Sequence, residues 1–410
     1  MPMDFSTYIM QINDALNAEN GPNLAYLLRP TSPHGKDLVK SLRSPTVVSM
    51  AQYKGCISSP WDEVAIQYVL TCTHIAHGRS AEAFKQQSAL VSAFSRYFIE
   101  NTGWTLPALF SILRDLRDLA DDADLHGPPN STEQNECKME AARVVARAFS
   151  NCMTDRVSPP EESRKWGVYY IVGLVMKCYF KVKRISLTKN IIKALENTND
   201  IPELADYPRA HQVTYRYYIG MLAFLDEEFS KAEQELTLAF YQCTTKAHKN
   251  QTRILTYLIP LRILRGHLPS QDLLGRFPIL ADLFLPFISA IRVGDLAAFD
   301  SALAAREAKL IDLNLLLTIE KARELCMRVV FRRVWLLEKK STRMHLRLFH
   351  AGLRVSGWDV DVEEAECLVA NMIYKGFIRG YISHEKQTVV LAAANAFPRP
   401  SERPSPYSLV

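Results

Sequence analysis

The stretch that decides the fold is DVEEAECLVANMIYKGFIRGYISHEKQTVVL, residues 361–391. Its first half repeats apolar residues at helical spacing after Asp361, and an acidic residue three positions on completes a capping signature. Gly376 is typical of the end of such a helix. Residues 377–384 alternate with a period of two, and TVVL, 388–391, can pair back on them. The stretch therefore predicts a helix near 362–375 followed by an antiparallel hairpin.

Two further helices are predicted directly upstream, near 321–338 and 343–354, from apolar residues recurring at helical spacing. Three helices followed by a terminal hairpin make a winged helix. This unit is expected at the carboxyl end of the chain.

Residues 60–310 are dominated by helical periodicity interrupted by short polar or Pro/Gly breaks. The clearest array lies at 207–266, where small residues such as Gly220 and Ala232 alternate with large apolar ones. Small residues let two helices approach closely, as in tetratricopeptide-like pairs. The predicted fold is an all-α helical repeat, a TPR-like solenoid, followed by the winged helix with its small β-hairpin. Irregular helical packing stays open as an alternative, because no strict period runs along the chain.

The breaks in the pattern divide the chain into five predicted segments. They are a partly helical N-terminal segment at 1–60, helical repeats at 61–206, a TPR-like part at 207–320, the winged helix at 321–397 and a flexible tail at 398–410.

Composition limits the function classes. The 410 residues are 48% hydrophobic and 23% charged with a net charge of +5, which indicates a soluble chain whose mild positive excess permits acidic partners without requiring them. No secretory signal and no apolar run of about 18 residues occurs in the sequence. The eight cysteines are scattered singly, as expected of reduced core thiols. Glycine-rich phosphate loops, GxSxG elbows and HExxH pairs are missing from the sequence, so we expect no enzyme, no metal and no cofactor.

A basic run covers the predicted winged helix. Residues 321–354 contain ten Lys or Arg against two acids, and a surface of this charge binds nucleic-acid backbones by counterion release. A merely solvated basic face is the alternative. The predicted nucleic-acid-binding residues are Arg328, Arg332, Arg333, Lys339, Lys340, Arg343, Arg347, Lys375, Arg379 and Lys386.

Aromatic side chains that could stack on the bases of a single strand accompany this run. The candidates are Trp335, Trp358 and Tyr381, although each also suits core or interface packing.

A second basic cluster, interleaved with Tyr179 and Phe180, is formed by Lys181, Lys183, Arg184 and Lys189. It suits an acidic, extended partner, because ordering a disordered chain requires both charge pairing and aromatic anchors. An ordinary lysine-coated helix is the alternative.

Four segments in the same order resemble the family of PCI-domain subunits of the nuclear messenger-RNA export complex, transcription-and-export complex two: 163–195, 211–240, 254–270 and 366–398. The last of these reads ECLVANMIYKGFIRGYISHEKQTVVLAAANAFP. A sister branch, resembling the twelfth subunit attributed to the signalosome, has the same architecture and works in transcription elongation and splicing.

The resemblance implies a non-enzymatic subunit of a hetero-oligomer that pairs with a larger PCI-type export scaffold and a small acidic disordered subunit, with RNA as a further partner. It also implies a nuclear location, in part at nuclear pores, with some protein in the cytoplasm. Winged helices of this family resemble dimerisation devices, which would place Phe377, Tyr381 and Val390 near an interface, while a closed core explains the same residues. A purely structural subunit without nucleic-acid contact stays open beside the RNA-binding one.

Overall fold

A computed structural model of the chain describes residues 3–43, 45–126 and 135–403. The chain forms two compact units, residues 1–215 and 216–410. The fold is mostly helical, with helical repeats in the N-terminal part and one small antiparallel sheet near the C-terminus. The predicted fold class is confirmed.

The first unit is built from helices that pack both against their neighbours in sequence and against helices farther along the chain. Their bounds are α1 Phe5–Asn17, α2 Gly21–Leu27, α3 Pro33–Ser41, α4 Val47–Met50, α5 Trp61–Ala76, α6 Ser80–Glu100, α7 Leu106–Leu125, α8 Glu136–Met153, α9 Val168–Lys181 and α10 Ser186–Glu196. The next helix, α11 Arg209–Leu225, spans the boundary between the units.

Aromatic side chains fill the contact between α5 and α6. Trp61 is 1% exposed and meets Phe94 edge to face, with ring centroids 5.9 Å apart. Such pairs add about 0.5–1.5 kcal/mol beyond the burial of their area. The buried Gln87 side chain on α6 donates from its Nε2 to the carbonyl oxygen of Ile112 on α7 at 3.1 Å, which offsets the burial of that nitrogen, while its Oε1 has no partner among the described residues.

The second unit continues with helices and ends in the sheet. Its further elements are α12 Phe229–Gln242, α13 His248–Leu264, α14 Gln271–Arg276, α15 Pro278–Val293, α16 Leu296–Asp312, α17 Leu316–Leu337, β1 Arg343–His345, α18 Leu346–Val355, α19 Val362–Tyr374, β2 Gly380–Ser383 and β3 Thr388–Leu391.

The small residues predicted to bring two helices together do so between α11 and α12. A Cβ atom added to Gly220 would lie 2.7 Å from the Cγ of Leu236, which is fully buried. Only glycine permits this approach, since real Cβ atoms do not come so close to another heavy atom.

The sheet has three strands rather than the predicted two. Its order is β1-β3-β2, and β3 pairs antiparallel with both neighbours. The prediction that the second helix starts at 343 is wrong: residues 343–345 form β1, and α18 begins at Leu346. Pairing with β3 satisfies the backbone hydrogen-bonding groups of both strands. It also holds the Met344 side chain on the inner face of the sheet, where it is 1% exposed.

The start of α19 agrees with the sequence prediction. Asp361 Oδ1 accepts a hydrogen bond of 2.7 Å from the backbone N–H of Glu364, as expected of an N-cap residue.

Residues 395–403, which we call the strap, pack against the winged helix. The Phe397 ring lies against Trp335 with centroids 5.3 Å apart, and the Arg403 guanidinium lies 3.7 Å from the centroid of Phe377. Residues 398–403 of the segment predicted as a flexible tail therefore contact the domain, while 404–410 lie outside the described residues.

Candidate nucleic-acid interface

The basic run continues through helix α17 and the turn after it, and the structure divides its residues into buried and exposed ones. Lys321 is largely buried, with its ammonium 4.7 Å from the Phe229 ring centroid and 3.5 Å from Glu227. Arg328 is half-buried and donates to carbonyl oxygens of the strap, whereas Arg332 and Lys339 are exposed. This part of the basic run therefore contains both buried residues, which hold the domain together, and residues that are open to solvent.

Burial affects Arg328 itself. It lowers the pKa of this guanidinium to about 10, and the neighbouring charges of Arg332 and Arg403 act in the same direction. Cations crowded in this way favour an anion beside them.

The exposed end of α17 lines a groove of about 640 Å³ together with the end of α15 and the strap. One carboxylate, that of Glu402, belongs to its lining. The five arginines that line it, which define the arginine groove, are Arg292, Arg328, Arg332, Arg333 and Arg399.

Short contacts fix the groove walls. Arg333 donates to the carbonyl oxygen of Arg292 at 3.3 Å, and the Arg399 and Glu402 side chains approach to 4.0 Å. Sequence reasoning missed Arg292 and Arg399, because they lie 107 positions apart on either side of the basic run and only the packed fold brings them to α17. The one local sequence signal was the position of Arg292 in the last turn of α15, where basic residues are favoured.

Most of the predicted basic residues keep their charge available. Within residues 3–43, 45–126 and 135–403, no carboxylate lies within 4.0 Å of the charged atoms of the following exposed side chains: Arg332, Arg333, Lys339, Lys340, Arg343, Arg347, Arg379 and Lys386. A polyanion that approaches them meets charge that internal ion pairs have not neutralised.

Lys375 differs from the other predicted residues because it is half-buried and pairs with Glu324. Two further arginines of the basic run are also paired. Arg323 makes a bidentate pair with Asp300 at 2.7 and 2.8 Å, and Arg354 pairs with Asp359 at 3.3 Å. Lys375 and Arg323 therefore stabilise the domain rather than offer free charge, whereas Arg354 and Asp359 form an exposed surface pair.

The sheet separates the remaining basic residues into two groups. Arg343 at the start of β1 and Arg379 just before β2 lie at one end, since both strands run antiparallel to β3. Arg347 lies at the other end, where the Leu346 N–H donates to the carbonyl oxygen of Gln387 at 2.9 Å beside the turn that carries Lys386. The structure does not gather the predicted residues into a single site.

The aromatic candidates for base stacking also divide. Trp335 is half-buried against Phe397 and donates from its indole N–H to the carbonyl oxygen of Ser341 at 3.2 Å, while Trp358 is covered by Arg323 at 4.0 Å. Tyr381 is 63% exposed on β2.

Of the residues predicted near a dimer interface, Phe377 lies in the closed core that was its alternative explanation. It is 2% exposed in the core beneath Arg403, because residues 377 and 378 both turn inward before β2 begins. Val390 lies half-buried on the central strand, and Tyr381 is exposed on an edge strand.

The second basic cluster lies at the end of α9 and the start of α10. Lys181 pairs with Asp121 of α7, and Lys189 on α10 is exposed. Lys183 and Arg184 are exposed in the turn, and the described part of the chain places no carboxylate within 4.0 Å of their charged atoms. The turn is therefore the open part of this cluster.

Cysteines and potential metal ligands give no further site among the described residues. All eight cysteines are free, and no group of three or more His, Cys, Asp or Glu is arranged to hold a metal ion in the part of the chain that the structure describes. No described helix has both the length and the apolar character needed to span a bilayer.

Comparisons with known proteins give a consistent result. The family model of the PCI domain matches residues 294–392. The chain is 35% identical to the "Protein CSN12 homolog" of Schizosaccharomyces pombe, over 97% of this chain and 98% of that protein. It is 37% identical to the protein of the same description from Mycosarcoma maydis, with 86% and 87% covered. It is 32% identical to "PCI domain-containing protein 2" of Xenopus laevis, with 95% and 96% covered.

Proposed function

The chain belongs to the PCI-domain family of CSN12 homologues and PCI domain-containing protein 2, and from this premise we propose that it is a non-enzymatic scaffold subunit of a nuclear messenger-RNA export complex that binds RNA. The arginine groove is the observation that carries the proposal, because five arginines line it and, among the described residues, Glu402 alone adds a carboxylate. The protein acts in the nucleus, in part at nuclear pores, with some protein in the cytoplasm.

RNA binding by the groove follows from its charge. A strand that enters it places phosphates against arginines and releases condensed counterions, which supplies affinity without reading the sequence. Arginine suits this role because its planar fork binds a phosphate through two parallel hydrogen bonds.

The helical repeats supply the protein contacts in this proposal. They pair with a larger PCI-type export scaffold, and the turn of Lys183 and Arg184 receives the small acidic subunit. An exposed, unneutralised turn between two helices suits an extended acidic chain, which pairs its carboxylates one after another.

One observation favours a second candidate, a purely structural PCI subunit of a signalosome-like or elongation and splicing complex without nucleic-acid contact. Lys321 and Arg323 of the basic run are paired with carboxylates of the domain and are largely shielded from solvent, so part of the run serves stability. Affinity purification from nuclear extract separates the two by asking which scaffold co-elutes, the export subunit or the splicing-linked partner.

RNA binding is tested by fluorescence anisotropy with the full chain and a labelled single strand at several salt concentrations. We expect the Arg332→Glu, Arg333→Glu double variant to bind more weakly and with a shallower salt slope, by about 0.7 for each phosphate that is no longer neutralised. Arg343→Glu with Arg347→Glu matches it in charge but lies on β1 and α18, outside the groove lining, and is expected to weaken binding less. If the groove variant and the native chain have the same curve, RNA binding by the groove is wrong.

A further inference from the structure

The arginine groove adjoins a second cavity of about 270 Å³ on α12 and α13. We propose that this cavity receives an unstacked nucleobase of the same strand whose phosphates lie in the groove, so that the site selects single-stranded over duplex RNA. The inference rests on the proposed function and names its ligand.

The cavity has the lining that a base requires. Its lining is largely apolar and aromatic and also contains side chains that can form hydrogen bonds, namely Arg262, His267 and Ser270. The apolar and aromatic walls are Phe240, Tyr241, Leu255, Leu258 and Ile259.

Tyr241 is the notable member of this lining. It is 74% exposed, whereas its neighbour Phe240 is half-buried with its ring centroid 6.1 Å away. An aromatic ring held at the mouth of a cavity offers a face on which any base stacks.

Two contacts join the cavity to the arginine groove. Arg292, which lines the groove, donates to the carbonyl oxygen of Pro269, which lines the cavity, at 3.4 Å. Pro400 of the groove packs on Gly266, where an added Cβ would lie 2.7 Å from the Pro400 Cγ. The two sites therefore share a wall made of residues 266–269, Arg292 and the strap.

The shared wall decides which occupant fits. A ligand that enters the cavity beside five arginines carries negative charge next to a flat apolar group, and a nucleotide within a strand has both. In a duplex the bases are stacked and paired inside the helix, so only a single strand can turn one into the cavity.

The experiment compares three RNAs of equal length with the full chain: a single strand, an abasic single strand with the same phosphates, and a duplex. We expect Tyr241→Ala to weaken binding of the single strand roughly five- to hundredfold and leave binding of the abasic strand unchanged. Tyr241→Phe retains the stacking face and is expected to bind as the native chain does. Arg332→Glu is expected to weaken binding of all three.

Each outcome of the experiment tests the base cavity separately from the proposed RNA binding. If Tyr241→Ala binds the single strand as the native chain does while Arg332→Glu does not, the base cavity is wrong and the proposed RNA binding stands. The base cavity is also wrong if the Tyr241→Ala variant keeps its affinity for RNA but no longer co-purifies with a protein. In that case a side chain of the partner protein fills the cavity. If the native chain binds none of the three RNAs, both ideas fall. Because Tyr241 is exposed, equal thermal midpoints are expected and confirm that the variants fold.

Discussion

The guanidinium of Arg328 donates a hydrogen bond of 2.6 Å to the carbonyl oxygen of Pro398. The same nitrogen donates to the carbonyl oxygen of Phe397 at 3.0 Å, so α17 holds the strap near its N-terminal end. The PCI match ends at residue 392, and this contact therefore joins the domain to a segment beyond the match.

Replacing Arg328 with Met should release the strap. Hydrogen bonds to charged groups contribute about 1.5–3 kcal/mol, and the repulsion between Arg328, Arg332 and Arg403 offsets part of that, so we expect a loss of about 1–2 kcal/mol. Thermal unfolding measures the loss, and limited proteolysis detects cleavage within residues 395–403. Arg347→Met, at an exposed site, serves as the control. An unchanged midpoint together with an unchanged cleavage pattern would show that Arg328 does not hold the strap.

Asp115 on α7 should make stability depend on pH. Burial raises the pKa of this carboxyl to about 6, while Arg114 and Arg29 lower it in part, and its Oδ2 has no hydrogen-bond partner among the described residues. The folded state thus binds more protons than the unfolded state, and stability falls as pH rises from about 4 to about 6.

The Asp115→Asn variant is expected to gain about 2 kcal/mol at pH 7.5, since each pKa unit corresponds to about 1.36 kcal/mol. The gain should shrink as the pH approaches 4.5. Urea unfolding at both pH values measures it, with Asp122→Asn on the exposed side of the same helix as the control. Equal gains at the two pH values would contradict the assignment.

Gly220 should tolerate no side chain. In the Gly220→Ala variant the new Cβ meets the buried Leu236, and overpacking costs about 1–3 kcal/mol, against a gain of about 1 kcal/mol in helix propensity. We expect a net loss of about 1–2 kcal/mol in unfolding free energy, measured by chemical denaturation.

Gly275 provides the matched control for this prediction. It lies in α14, and no heavy atom lies within 4 Å of a Cβ added there. Gly275→Ala is therefore expected to be neutral or to stabilise by up to about 1 kcal/mol. Similar losses in both variants would mean that the close approach of α11 and α12 is not the cause.

The turn of Lys183 and Arg184 should bind the small acidic subunit. Reversing both charges is expected to weaken that binding at least tenfold in low salt, with a smaller effect in high salt, because exposed charges are screened. Isothermal titration of the full chain with the acidic subunit measures it. Lys36→Glu with Lys40→Glu changes the charge equally at exposed positions on α3. Equal affinities for the two double variants would exclude the turn as the docking site.

Sequence periodicity predicted the helices of the winged helix but not its third strand. Arg343, Met344 and His345 alternate over only three residues, which is too short for a period of two to be distinguished from the start of a helix. The strand exists because β3 offers unpaired backbone groups on that side, and this partner lies more than 40 positions away in the chain.

The arginine groove was only partly predictable from the sequence, because it too combines residues that are remote from one another along the chain. Arg332 and Arg333 belong to the dense basic run, so composition reveals them. Arg292 and Arg399 lie outside any run of basic residues that would mark them. Lys375 carries the same charge as they do, although Glu324 neutralises it. Charge can be counted along the chain, whereas its pairing depends on distances between residues remote in sequence.

By itself the sequence determined the helical class, the terminal unit of helices and hairpin, the N-cap at Asp361 and the excess of positive charge near α17. These properties follow from local periodicity, capping chemistry and composition, which act over a few residues. The tertiary structure alone decided which arginines stand free, that β1 joins the sheet, that Phe377 is core, and that the strap closes one wall of the groove. Such outcomes depend on burial and on contacts between distant segments, which form only when the chain has packed.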